Sequence, residues 1–352
     1  TVVIMTFSFF QALPRSLSWS FILLIFMGAT LSWHLSYWWQ LKPDYQFGFL
    51  VPLFSLFVIY DRWHAILSLV GKKTPESFDS TTVANSSVQA GTSEGYPPDA
   101  DGKRPSSTPV ASTLVLLAWA GLLVGALGYL IGAIIIAGSG PSQPGSLAMA
   151  TGFCGIMLSL LYLNASTDAG GRPLGWRNRL RFVLLFLFPA AIWLISAPLL
   201  SVIENRISLF LLGKVTGVVL LVSDVLGLNI ERAGNVLMFP GGQVGVEEAC
   251  SGIRSLTACL FAGSFLGAVF LKRFWEKCLL LALSMFMAFL MNLFRSIFLT
   301  LWAYHNGAES IGGAVHDITG YAVLGVTSVL LLLTCLAIAR IHDYFQPAGY
   351  SA

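Results

Sequence analysis

Charge is what this chain lacks. Charged residues make up 11% of the 352, against about 25% in a soluble domain, while hydrophobic residues make up 56%. That balance excludes an ordinary water-soluble protein and points to an all-α polytopic membrane protein, because a lipid-facing backbone must satisfy its own hydrogen bonds. A net charge of +3 is too small to draw nucleic acid, so no such partner is expected. Cysteine is scarce as well. The five cysteines show no paired spacing, which excludes a disulfide framework and a zinc site. Cys154, Cys259, Cys278 and Cys335 lie inside apolar runs, where a thiol acts as a small hydrophobe. Cys250, His305 and His316 have no metal-ligand spacing, so neither metal nor cofactor is expected. A small-residue cleavage site is missing after the first apolar stretch, which reads as an anchor rather than a removable signal.

What the chain does have is long apolar runs. A span needs about 20 such residues. Candidates fall at roughly 17–38, 47–67, 111–137, 145–163, 182–203, 252–271, 277–303 and 318–339, about eight helices by that criterion. A ninth apolar stretch, 206–228, is broken by Lys214, Gly217 and Asp224 and ended by Gly227. The positive-inside rule decides its fate. With the N-terminus in the cytoplasm and 206–228 not spanning, the inner segments hold Arg15, Arg62, Lys72, Lys73, Lys103 and Arg104. They also hold Arg172, Arg177, Arg179, Arg181, Lys272, Arg273, Lys277 and Arg340. The outer segments keep Lys42, Arg206, Lys214 and Arg232, with Arg254 and Arg295 near the outer boundary. If 206–228 crossed, Lys272, Arg273, Lys277 and Arg340 would all face outward. The stretch is therefore expected on or in the outer leaflet.

The domain plan follows. Residues 1–70 form the first two membrane helices, and 111–340 form a membrane core with an extracytoplasmic segment over 204–251. Residues 341–352 form a tail. Between them, 71–110 is rich in Ser, Thr, Pro, Gly and Asp and is expected to be a disordered cytoplasmic loop. The stretch 229–249 reads as two short strands around a Pro-Gly-Gly turn. No internal repeat is evident.

Polar residues in so apolar a chain stand out. Cys250 begins the run 252–271 in "EEACSGIRSL". A helix N-terminus favours an anion and so lowers a thiol pKa, and the thiolate is the nucleophile. Arg254, four positions on, shares its helix face and adds a second positive bias, whereas Glu247 and Glu248 oppose it. Arg295 in "FLMNLFRSIF" is costly inside a membrane helix, by roughly 2.5–3.5 kcal/mol, and so suggests function. The bland alternative is a snorkelling arginine. Asn292, three residues earlier, could hold the guanidinium. His316 in "GGAVHDITGY" starts the last helix, with Asp317 stabilising its first turn. His305 is the competing histidine on that loop, while His34, His64 and His342 fall elsewhere. By this topology a cysteine, an arginine and a histidine from three helix ends share the outer surface. Nucleophile, oxyanion partner and proton carrier are what acyl transfer needs.

These motifs in this order resemble the exosortase/archaeosortase family. "EACSGIRSL" is similar to its cysteine motif, "NLFR" to its Asn-x-x-Arg motif and "HDITG" to its histidine motif. Upstream, "YQFGFLVP" resembles its early Tyr-x-His-Gly motif, with Phe47 where a histidine is expected. The resemblance covers about residues 20 to 340. It implies a membrane-embedded cysteine protease or transpeptidase with Cys250 as nucleophile, Arg295 as oxyanion or thiolate partner and His316 as proton carrier. Implied partners are exported proteins that end in a short PEP-like motif, a transmembrane helix and a basic tail. Membrane lipids and an acceptor, lipid or polysaccharide, complete the set. The implied location is the plasma membrane, with the site on its extracytoplasmic face. A transporter with Arg295 in its substrate path is the alternative, but it gives Cys250 no task.

Overall fold

The computed structural model describes residues 13–71, 109–234, 236–240, 242–245 and 253–345. The sequence-read loop therefore lies almost wholly outside the described residues, as do Glu247, Glu248 and Cys250.

Among the described residues the chain is helical apart from one small sheet. Helices α1 (Arg15–Leu41), α2 (Val51–Asp61) and α3 (Trp63–Val70) come first, with a 3-10 helix, Pro43–Leu50, ahead of α2. Next come α4 (Pro109–Ser139), α5 (Gln143–Asn164), α6 (Trp176–Leu184), α7 (Leu187–Ser196) and α8 (Ser201–Val225). Strands β1 (Glu231–Ala233), β2 (Val236–Phe239) and β3 (Gly242–Gly245) precede α9 (Ile253–Phe270), α10 (Phe274–Asn306) and α11 (Ala314–Phe345). Seven helices are long and apolar enough to cross a membrane, or eight if the bent pair Pro43–Asp61 and Trp63–Val70, 55° apart, counts as one span.

Hydrogen bonds between distant residues define two ends of the bundle. At one, Arg62 donates from Nη1 to the Leu185 carbonyl at 2.6 Å and from Nη2 to that of Ala268 at 3.4 Å. Ala169 N bonds Val70 O at 2.9 Å, and Ser16 Oγ bonds Asn164 O at 3.3 Å. This end gathers the basic segments 172–181 and 272–277. At the other end Trp39 Nε1 donates to Ser196 O at 2.9 Å and Leu199 N to Tyr45 Oη at 3.0 Å. Thr257 Oγ1 donates there to Asp44 O at 2.9 Å.

Helix α8 starts at this second end. Its first turn is tied by Lys42 to Glu204 at 2.6 Å and by Ser201 N to Gln143 Oε1 at 2.9 Å. Leu212, Val215 and Val219 pack with Leu237, Phe239 and Val244 of the sheet and with Leu299 and Ala303 of α10. The Phe239 and Tyr304 rings lie 6.1 Å apart. α8 thus has a span's length and hydropathy, while its first turn and its middle both make their contacts near this second end. The other helices long and apolar enough to cross are α1, α4, α5, α6–α7, α10 and α11, with the bent pair as an eighth, while α9 is a shorter apolar helix.

Three details differ from the sequence reading. The sheet has three antiparallel strands, not two, because Gly234 adopts φ 65° and turns β1 back onto β2; glycine enters that region without a Cβ penalty. The span expected over 182–203 starts earlier, at Trp176, and its helix stops at Ser196, short of Pro198. The second span breaks at Arg62, whose side chain serves two carbonyls of other helices.

Candidate active site

Arg295 sits on α10, three turns short of its end at Asn306. The chain leaves α10 through a 3-10 turn, Ala308–Ile311, and Gly313 at φ 61°, then enters α11 running back along its neighbour. That reversal places His316 in the first turn of α11, facing Arg295. Arg295 Nη2 lies 2.8 Å from His316 Nε2. The other ring nitrogen, Nδ1, lies 3.1 Å from Asp317 Oδ1. One turn on lies Gly320, where a Cβ would make ordinary contact with Nη2 at 3.7 Å. The guanidinium therefore rests against α11 between His316 and Gly320. The His316 side chain is 36% exposed and that of Asp317 68%, so the pair meets at an accessible surface rather than in the core.

Asn292 shares this face one turn earlier. It is buried, and its Oδ1 has no hydrogen-bond partner among the described residues. It belongs to a buried stripe on α10 that includes Leu280, Ser284, Ala288 and Ser296. That stripe packs on α9. A Cβ on Gly263 would lie 2.7 Å from Ser284 Oγ, and one on Gly267 3.6 Å from Leu280 Cδ2. Continued along the antiparallel pair, this register brings Ile253 to the depth of Phe294, next to Arg295. The positive end of the α9 dipole is thus delivered to the level of the Arg295–His316 pair. Cys250 is outside the described residues.

Arg254 does something the sequence did not suggest. Its Nε lies 3.3 Å from Asp44 Oδ1, and its side chain is 64% exposed. The positive charge read as a bias on the cysteine is engaged by an acid on the 3-10 helix after α1. The sequence marks Asp44 only as an acid immediately before the "YQFG" stretch. Phe47 stands 4.8 Å from the Phe261 ring, and Phe54 stacks between Phe261 at 5.2 Å and Phe265 at 4.3 Å. Aromatic packing fills the position where the family pattern has histidine.

The competing residues fall elsewhere. His305 is ten residues beyond Arg295 on α10, about 15 Å along the helix axis, with its ring edge-on to Tyr304 at 5.4 Å. Cys154 Sγ bonds the Ala190 carbonyl at 3.0 Å, Cys259 and Cys335 are buried, and Cys278 is exposed near the basic end. No group of three His, Cys, Asp or Glu residues suited to a metal occurs among the described residues.

The profile of the transmembrane exosortase (EpsH) family matches residues 38–333. The chain belongs to that family. No curated protein and no solved structure matches it. Membership supports a multi-pass membrane enzyme that processes protein sorting signals. In this exosortase the matched range takes in Asp44, Cys250, Arg254, Asn292, Arg295, His316 and Asp317.

Proposed function

We propose that this exosortase is a membrane cysteine protease or transpeptidase that removes C-terminal sorting signals from exported proteins. One observation carries the reading: Arg295 and His316, 21 residues apart in sequence, meet at 2.8 Å at the bundle end away from the basic cluster. Family membership supports it, as does the level at which α9 begins. By the positive-inside rule the basic end is cytoplasmic, along with both termini, and the site faces outward across the plasma membrane.

The substrate helix docks from the lipid with its own basic tail cytoplasmic, which leaves its PEP-like motif beside Cys250. The thiol proton passes to His316, and the thiolate attacks the backbone carbonyl at the motif. Arg295 faces the negative charge that develops on oxygen. The C–N bond breaks as His316 returns the proton to the leaving amine. The membrane tail departs and a thioester remains on Cys250. An acceptor hydroxyl or amine, from lipid or polysaccharide, or water resolves it and regenerates the thiol.

The test is cleavage of a tagged sorting-signal protein in membranes. Cys250→Ala is expected to abolish cleavage; a Cys250→Ala enzyme that still cut would end the proposal. His316→Ala is expected to lower turnover by about a hundredfold or more while leaving the amount of membrane-inserted protein unchanged.

A further inference from the structure

A guanidinium carries only donors. The ring nitrogen of His316 that faces Arg295 Nη2 at 2.8 Å must therefore be the acceptor, and Nε2 must hold a lone pair. In a neutral imidazole the other nitrogen then carries the proton. Nδ1 has an acceptor waiting, since Asp317 Oδ1 lies 3.1 Å away. Two independent contacts thus demand one tautomer. Gly320 lies beside the first contact, its Cβ position 3.7 Å from Nη2, so the guanidinium packs along α11 at this turn.

We propose that Arg295 and Asp317 together hold His316 as the Nδ1–H tautomer, with Asp317 as a positioning residue, and that protonation of Nε2 releases Arg295. The second part rests on the proposed role of His316 as proton carrier. The resting pair is a closed latch: the base nitrogen is occupied by the cation that the reaction needs. When Nε2 takes the thiol proton it becomes a donor facing a donor, and the contact opens. The sulfur gains its negative charge in the same step, so the freed guanidinium has an anion to meet. Asp317, accepting from Nδ1–H throughout, keeps the ring from turning and faces the imidazolium with a carboxylate. The two motifs are then one device rather than two separate contributors.

The tautomer can be read without substrate. The full chain is prepared in detergent with ring-labelled [15N]histidine, and the His316 signals are assigned by their loss in His316→Gln. At neutral to mildly alkaline pH the expected spectrum has a protonated, pyrrole-type Nδ1 and an unprotonated, pyridine-type Nε2. A ring protonated at Nε2, or a charged ring, overturns the proposal. Arg295→Leu is expected to keep the Nδ1–H form through Asp317 alone, and Arg295→Leu with Asp317→Leu to give a mixture. A mixture in Arg295→Leu by itself removes Asp317 from the positioning role. In the cleavage assay Asp317→Leu is expected to slow turnover roughly fivefold, the upper range for an exposed charged contact. Asp317→Asn, which retains an oxygen for Nδ1–H, is expected to restore most of the rate. Wild-type turnover in Asp317→Leu overturns the proposal. If His316→Ala cleaved at full rate, the functional reading would fall while the tautomer result stood, so the two failures are separable.

Discussion

At the scale of residues, Arg295 carries the largest cost and the largest consequence. An arginine in a membrane helix is unfavourable by roughly 2.5–3.5 kcal/mol, and here its charged group is received by His316 and the bare face of Gly320. Lysine at this position keeps the charge but loses the planar fork. Arg295→Lys is expected to reduce cleavage of a tagged substrate by about a hundredfold, the scale of losing one oxyanion donor, with the folded yield unchanged. Arg254 supplies the contrast. Its own side chain is largely exposed in the pair with Asp44, and so screened a contact contributes at most about 1 kcal/mol. Arg254→Ala should therefore cleave within about fivefold of the parent; a loss matching that of Arg295→Lys would place Arg254 in the site after all.

At the scale of elements, small residues and one sheet do the positioning. α4 is held to the bundle through α5, where a Cβ on Gly132 would lie 2.5 Å from the Gly145 carbonyl and one on Gly125 2.8 Å from Ile156 N. Backbones that close leave no room for a side chain, the usual way helices associate in lipid. Gly132→Leu is expected to lower the thermal unfolding temperature in detergent by several degrees, at a cost of about 1–3 kcal/mol. Cleavage per folded molecule should not change, because α4 and α5 carry none of the proposed site residues. The sheet behaves differently. Phe239 is buried against Tyr304, and β3 feeds the segment that carries Cys250. Phe239→Ala is expected to cost about 3–5 kcal/mol, read by thermal unfolding. Cleavage should fall further than the folded fraction does.

At the scale of the whole molecule, sidedness is the property that everything else depends on. Most of the described basic residues collect at one end and the Arg295–His316 pair sits at the other, the kind of asymmetry through which membrane potential and lipid charge orient a protein. α8 is the sensitive reporter. In a Cys250→Ser background, Ser201→Cys and Val225→Cys bracket the helix, and Arg177→Cys marks the basic end. A membrane-impermeant maleimide added to intact cells is expected to label both of the first two and not the third. Labelling at only one end of α8 would make it a crossing helix and turn every later segment over.

Much of this architecture was readable in the residue order, for a reason particular to lipid. A backbone in hydrocarbon must bond to itself, so each apolar run of sufficient length declares a helix. An arginine or histidine in such surroundings is conspicuous by its cost. Helical class, the presence of many candidate spans, and Arg295 and His316 as candidates all follow from that local rule. What the tertiary structure decided are relations between residues distant in the chain. It set Arg295 Nη2 on His316 Nε2, turned Arg254 to Asp44, filled the Phe47 position with packed rings and seated α8 against the sheet and α10. Such pairings depend on helix register and on how closely small residues let backbones approach, and neither is written in the hydropathy of a single segment.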